Sequence, residues 1–255
     1  GLDFNIISKD LLEIDEVVKN LVNHYEALDA RVILLSEYGI TNVNRPIHLN
    51  RILRKEGCIA IREERGLELL DAGESDAFAV ADHQIAHIYC KNSSSIERLV
   101  KLLKSVVGVE KVLFGEDLKN HHIDHERCGD IVVMADKDSW FTYYFWLDDA
   151  KAPDYARMVD IHKKPGYDPV EMLTDPKDKL VMAKVVGKLL KKKLGFRTVM
   201  NIIPIDATLI KGSHGRLTED KDDYPVFISN REQSVKENVI KAIQVRDLIE
   251  DHLLN

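Results

Sequence analysis

Four consecutive apolar residues, Val32-Ile33-Leu34-Leu35, two of them β-branched, stop at Ser36-Glu37-Tyr38-Gly39-Ile40. A run of this kind reads as a strand buried on both faces. Such strands belong to α/β sheets covered by helices, and ligands of those sheets collect at the carboxyl ends of the strands. Glu37 therefore stands where a functional acid would stand, with a solvated loop glutamate as the alternative.

The flanking residues fit an α/β unit. Leu11, Ile14, Val18, Leu21, Tyr25 and Leu28 recur at three- and four-residue steps, which predicts an amphipathic helix over 8–29 with Ser8 as N-cap. The strand at 31–36 follows. A polar loop at 41–46 leads to a short helix over 47–56, ending near Gly57. From 58 to about 150 the texture becomes β-like, with runs at Cys58–Ile61, Ala77–Ala81, Ile85–Cys90, Val112–Phe114 and Ile131–Met134. A helix at 94–107 interrupts them. Trp140-Phe141-Thr142-Tyr143-Tyr144-Phe145-Trp146 is a strand candidate by propensity and, as most aromatic clusters are, a core segment; with aromatics on both alternating faces, some should face a cleft or another segment. Residues 151–178, with four prolines, form a long surface connection. Helices are predicted at 179–193 and 234–254, with a strand at Val226–Ser229 between them.

The chain has 255 residues, 45% hydrophobic and 31% charged, the composition of a soluble globular protein. That length suits one large domain or a domain with an inserted subdomain. A net charge of −7 and a pI near 5.8 indicate no nucleic-acid partner and no acidic membrane surface. Three cysteines, Cys58, Cys90 and Cys128, without a CxxC pair, favour a reducing, cytoplasmic setting. No run reaches the ~18 apolar residues of a membrane span. Gly1 rather than Met opens the chain, so the expectation is that it begins inside a longer protein.

Three clusters carry candidate chemistry: Glu37-Tyr38, Asp82-His83-Gln84-Ile85-Ala86-His87, and Gly212-Ser213-His214-Gly215. Imidazole with carboxylate suits zinc or a similar divalent ion. Flanking glycines would let His214 approach a metal or phosphate, while a plain turn is the simpler reading. His83 and His87 lie in β-like surroundings, where residues four apart stand ~13 Å apart at ~3.3 Å per residue, too far to share one ion. Two polar histidines on a strand face is the favoured reading. His121, His122 and His125 sit in a loop and are open to metal or to solvent. His162, in the long connection, is a further candidate ligand.

Taken together, these stretches resemble a known family. Val32–Ile40 followed by Asn44-Arg45-Pro46 resembles the segment of type I phosphodiesterases/nucleotide pyrophosphatases where a strand ends in Ser-Asp-His-Gly-Met. That family belongs to the alkaline phosphatase superfamily. Lys211-Gly212-Ser213-His214-Gly215-Arg216, followed by Pro225-Val226-Phe227-Ile228, resembles its later Gly-Thr-His-Gly segment and the next strand. His125–Asp130 and Trp140–Tyr144 are similar to an uncharacterised bacterial branch.

The resemblance implies a metal-dependent hydrolase of phosphodiester or pyrophosphate bonds, acting on a small phosphate ester or nucleotide. The alternative is a non-catalytic relative that binds a phosphorylated ligand or a partner. Two divalent metals are implied, zinc first, with manganese or magnesium as alternatives. His214 would ligate one metal; Glu37 and Tyr38 stand where the family has an Asp-His pair ligating the other. Glu37 keeps a carboxylate one methylene longer, and Tyr38 replaces an imidazole with a phenol of pKa ~10. The catalytic nucleophile is expected upstream of Gly1, since nothing before Ser36 matches the family's motif. The implied fold is α/β: part of an alkaline-phosphatase-like three-layer α/β/α core from 1–57 and 179–255, with a smaller β-rich subdomain at 58–178. An incomplete core would leave a sheet edge exposed, so pairing with the missing N-terminal segment or self-association is expected.

Overall fold

The spacing of Leu11, Ile14, Val18 and Leu21 does produce a helix: in the computed structural model, α1 spans Ser8–Glu26. The structure describes residues 4–159, 169–230 and 238–254. After α1 come β1 (Ile33–Leu35), β2 (Thr41–Asn42), β3 (Arg45–Ile47), α2 (Leu49–Lys55), β4 (Ala60–Glu64) and β5 (Leu67–Asp71). Next are β6 (Ala77–Asp82), β7 (Ile85–Cys90), α3 (Ile96–Lys104), β8 (Val109–Phe114), α4 (Glu116–Asn120), β9 (Ile131–Ala135) and β10 (Ser139–Phe141). The chain ends with α5 (Val181–Lys193), β11 (Gly212–Ser213), β12 (Phe227–Ser229) and α6 (Val245–Leu254). Among the described residues, no helix is long and apolar enough to cross a membrane.

The chain divides into two compact units, Gly1–Ile40 with Thr218–Asn255, and Thr41–Leu217. In the first, β1 and β12 form an antiparallel ribbon that pairs Ile33 with Ser229 and Leu35 with Phe227. The expected burial on both faces of β1 is not found, because β12 is the strand's one described neighbour; Leu34 is 38% and Leu35 47% exposed. Ser8 is not the N-cap of α1 either. Ile7 holds that position, and the Ser8 hydroxyl donates to the Asn5 carbonyl at 3.2 Å. The last helix begins at Val245 rather than 234. Residues 231–237 lie outside the described residues, and Val239 and Ile243, expected on its apolar stripe, precede it and are exposed. His252 of α6 is buried; its Nδ1 meets the Leu248 carbonyl at 3.0 Å and its Nε2 meets the Ser229 hydroxyl.

The second unit holds the main core. Its centre is an antiparallel sheet in the order β6-β7-β9-β8. Strand β9, Ile-Val-Val-Met-Ala, lies between β7 and β8 with every residue buried, which accounts for its unbroken apolar sequence. Leu99, Val100 and Leu103 of α3 are buried, the three- and four-residue stripe of an amphipathic helix. Helix α2 is tied to β6 by one buried side chain: Asn50 donates to the Ala79 carbonyl at 2.8 Å and accepts from the Ala79 amide at 2.7 Å. The side chain thereby satisfies backbone groups that would otherwise be buried and unpaired.

The aromatic run is core, as such clusters commonly are, but departs from the strand expected by propensity. Only Ser139–Phe141 is strand, parallel to β3, yet all seven residues from Trp140 to Trp146 are buried. They face each other and neighbouring segments, Tyr144 stacking on Trp146 with centroids 4.6 Å apart. Mutual packing of rings replaces the sheet ladder that propensity suggests. In the long connection, short 3-10 turns occupy Asp149–Lys151, Asp154–Arg157 and Pro169–Met172. The three cysteines are free thiols.

Candidate functional site

A two-residue loop, His83-Gln84, joins β6 to β7 with Asp82 paired to Ile85. Such a loop needs a positive φ at its first position, and His83 supplies it with φ 56°. Gln84 then plugs the loop into the core. Its side chain is fully buried, and its Nε2 donates to the Ser139 carbonyl at 3.1 Å. Its backbone carbonyl accepts from Ala135 at 2.9 Å, and the His83 carbonyl accepts from Phe141 at 2.7 Å.

Against this loop lies the Gly-Ser-His-Gly segment. Gly212 and Ser213 pair with Asn42 and Thr41, and the Gln84 amide donates to the His214 carbonyl at 2.9 Å. Gly215 takes φ 108°, and a Cβ there would stand 3.4 Å from the Gln84 nitrogen. Glycine suits this position because the conformation is one side chains rarely adopt and the hairpin backbone is close.

The result is a pair of imidazoles. The rings of His83 and His214 lie 4.0 Å apart between centroids, tilted by 39°. The Asp82 carboxylate sits 3.7 Å from His83 Nε2. Burial lowers the pKa of His83, the neighbouring His214 lowers it further, and Asp82 opposes both. His83 is therefore neutral at pH 7, the form that offers a lone pair to a metal or accepts a proton. Behind the pair, Arg216 donates to Glu110 at 2.6 Å and fixes the outgoing chain.

The structure thus places His214 beside His83, which strand spacing alone set aside. His87 is engaged elsewhere: its Nδ1 accepts from the Gly129 amide at 3.1 Å, with Cys128 Sγ at 3.6 Å. Burial pushes the Cys128 thiol up, so it is not poised as a thiolate ligand or nucleophile. His121 and His125 make local backbone contacts, to the Asp117 carbonyl at 2.8 Å and from the Arg127 amide at 3.1 Å. His162 lies outside the described residues.

Glu37 and Tyr38 belong to the first unit, and both are exposed. They follow β1, where Ser36 exchanges bonds with Val226: amide to carbonyl at 3.0 Å, and hydroxyl accepting from amide at 3.0 Å. Gly39 is needed here for space, since a Cβ would fall 1.8 Å from the Asp223 carbonyl oxygen. Among the described residues, no group of three or more His, Cys, Asp or Glu side chains converges to hold a metal. The His83–His214 pair thus fits a metal in donor chemistry but supplies only part of a donor set.

The family model described as type I phosphodiesterase / nucleotide pyrophosphatase matches residues 5–168. Two crystal structures of phosphonoacetate hydrolase from Sinorhizobium meliloti 1021 are similar to this chain. The one with phosphonoformate is 14% identical and the one with phosphonoacetate 16%, each with a TM-score of 0.33. Each alignment covers 46% of this chain and 29% of the other, so the chain spans under a third of those proteins. No curated protein matches the chain. With more than half of its residues matched by the family model, the chain belongs to the type I phosphodiesterase/nucleotide pyrophosphatase family.

Proposed function

We propose that the protein is a metal-dependent hydrolase of phosphodiester or pyrophosphate bonds, acting on a small phosphate ester or nucleotide. The family match supports the class of reaction. The observation that carries the reading is the imidazole of His214 held against His83 by a backbone-locked hairpin. In this reading His214 ligates one divalent ion, with zinc the best match for an imidazole donor and manganese or magnesium as alternatives. Glu37 ligates a second ion, assisted by Tyr38, and His162 is a further candidate. A bound ion of this kind neutralises charge on a transferring phosphoryl group. The residues of this chain do the holding. The Gln84 plug fixes His83, the β2–β11 pair fixes His214, and Gly39 lets the Glu37 segment approach the Asp223 backbone.

The same reading keeps the three-layer α/β/α core at 1–57 and 179–255, with 58–178 as the β-rich insertion. It also keeps association of the exposed β1–β12 edge with a further segment or a second copy. A second reading, a relative that binds a phosphorylated ligand without turnover, is favoured by Tyr38 and by the lack of a three-donor group among the described residues.

Elemental analysis and turnover of an aryl phosphodiester with added zinc or manganese test the proposal. The expected result is bound metal that falls in His214→Ala and in Glu37→Ala, with turnover down by at least about 100-fold in each, the scale of losing a group that acts on the transition state. A folded protein that takes up no divalent ion and turns over no phosphodiester leaves the binding reading standing.

A further inference from the structure

A polar cleft of about 410 Å³ lies in the second unit, and neither His83 nor His214 lines it. Its chemistry comes from His48, Arg51, Arg157, Asp175, Lys177 and Asp206. One wall is rigid. The Arg51 guanidinium carbon stands 5.5 Å over the Tyr144 ring and 5.7 Å over the Trp146 ring. One of its terminal nitrogens donates to Asp149 at 2.6 Å, and the same oxygen accepts from Trp146 Nε1 at 2.9 Å. The fork is therefore held on aromatic faces with one corner pinned, while its buried Nε has no hydrogen-bond partner. A guanidinium fixed before a ligand arrives loses little freedom on binding.

His48 stands beside it, stacked on Tyr144 at 5.5 Å, with Nδ1 2.7 Å from the Thr142 hydroxyl. Burial, then the Arg51 charge, lowers its pKa to about 4, so at pH 7 it carries no charge and a ring nitrogen can accept a hydrogen bond. Arg157 and Lys177, both exposed, bring two more cations. The acids are held by local turns. Asp206 accepts from the amide and hydroxyl of Thr208 at 3.1 and 2.5 Å, and Asp175 accepts from the Lys177 amide at 2.8 Å. In each, one carboxylate oxygen makes these contacts and the other is left for a ligand donor.

Cations and acids therefore line one small cavity together. A purely anionic ligand would meet Asp175 and Asp206, and an apolar one would meet mainly polar and charged side chains. We propose that this cleft binds a small molecule carrying both an oxyanion and hydroxyl or ammonium donors. The oxyanion, phosphate or carboxylate, sits on Arg51, Arg157 and Lys177, and the donors sit on Asp175, Asp206 and His48. The site works without the metal chemistry of His214, and its cavity falls in the volume range of small-ligand pockets.

The test is calorimetric titration of the full chain in EDTA, with tryptophan emission as second readout because Trp146 lies under Arg51. The probes are glycerol 3-phosphate, phosphoethanolamine, glycerate and inorganic phosphate. The expected result is saturable binding of at least one bifunctional probe, tighter than inorganic phosphate. Glycerol 3-phosphate against glycerate then identifies the oxyanion. Affinity should fall about tenfold in Arg157→Gln and in Lys177→Gln, the worth of one charge-assisted hydrogen bond. These exposed positions keep the test clear of the folding role of Arg51. Affinity should not change in His214→Ala. The proposal is overturned by no saturation with any probe at about 10 mM, beyond the millimolar end of specific binding. Affinity indifferent to both variants also overturns it, as does binding that needs a divalent ion or is lost in His214→Ala.

Discussion

His48 shows how a residue can be shaped by neighbours that its own sequence does not reveal. Two residues before Asn50, it reads as an ordinary polar position at a helix start. In the fold it is stacked on Tyr144 and bonded to Thr142, residues almost a hundred positions away. Its folded pKa of about 4 lies below the ordinary value of 6.5, from burial first and Arg51 second, with Asp149 opposing. The sign follows directly. Between those two values the unfolded chain binds more protons than the folded one, so stability rises with pH across that window. The contribution is fully present above about 6.5 and is lost as pH falls toward 4, by up to about 3 kcal/mol. His83 and His87 are shifted in the same direction and add to the slope. Urea midpoints at pH 7, 5.5 and 4.5 should therefore fall steadily in the native chain. The fall should be visibly shallower in His48→Gln. Parallel profiles for the two proteins would remove His48 as the cause.

At the scale of elements, local pattern and long-range pairing divide the outcome. Helices α1, α2, α3 and α5 and strands β6, β7 and β9 were legible because periodicity or an apolar run marks each one. Strand β5 was missed. Its partner β4 reaches it through Arg65-Gly66, both at positive φ, a tight hairpin that lacks the usual Asn or Asp at its first position. The His83–His214 pair was missed for a different reason. It depends on β2 meeting β11 across 170 residues, a contact that the spacing of His83 and His87 does not encode. In the sequence Gly39 reads only as the end of a strand, and its cause lies 184 residues on. A Cβ there would collide with the Asp223 backbone, which is not the far end of a flexible side chain and cannot move aside cheaply. Gly39→Ala should therefore destabilise the β1–β12 ribbon by about 1–3 kcal/mol, as overpacking does elsewhere. Hydrogen exchange at the amides of Ile33–Leu35 and Phe227–Ser229 reads this out. Unchanged protection there would show that Asp223 yields without cost.

For the whole molecule, the distribution of buried apolar residues matters more than the element count. The large core cluster runs from Val43 to Ile210, entirely in the second unit. In the first unit, α1 has no buried residue, and Leu248 is the one fully buried apolar side chain among its described residues. Leu12 of α1 is 71% exposed, against 0% for Ile131, Val132 and Val133 in β9. Burying a Leu or Ile side chain contributes about 1.5–3 kcal/mol, so several such residues separate the two units in local stability. Regions with few buried contacts open at a small fraction of the global free energy. For the isolated full chain, the α1 amides should exchange at least about 100-fold faster than those of β9, corresponding to about 3 kcal/mol of opening free energy. The ratio should also respond to denaturant. Low urea should abolish α1 protection while β7 and β9 retain theirs, because the sheet opens only with its core. Equal protection in α1 and β9, lost together in one transition, would mean that the first unit's apolar face is covered in solution. Adding back a covering partner should then be unnecessary, and the difference in burial would have no energetic counterpart.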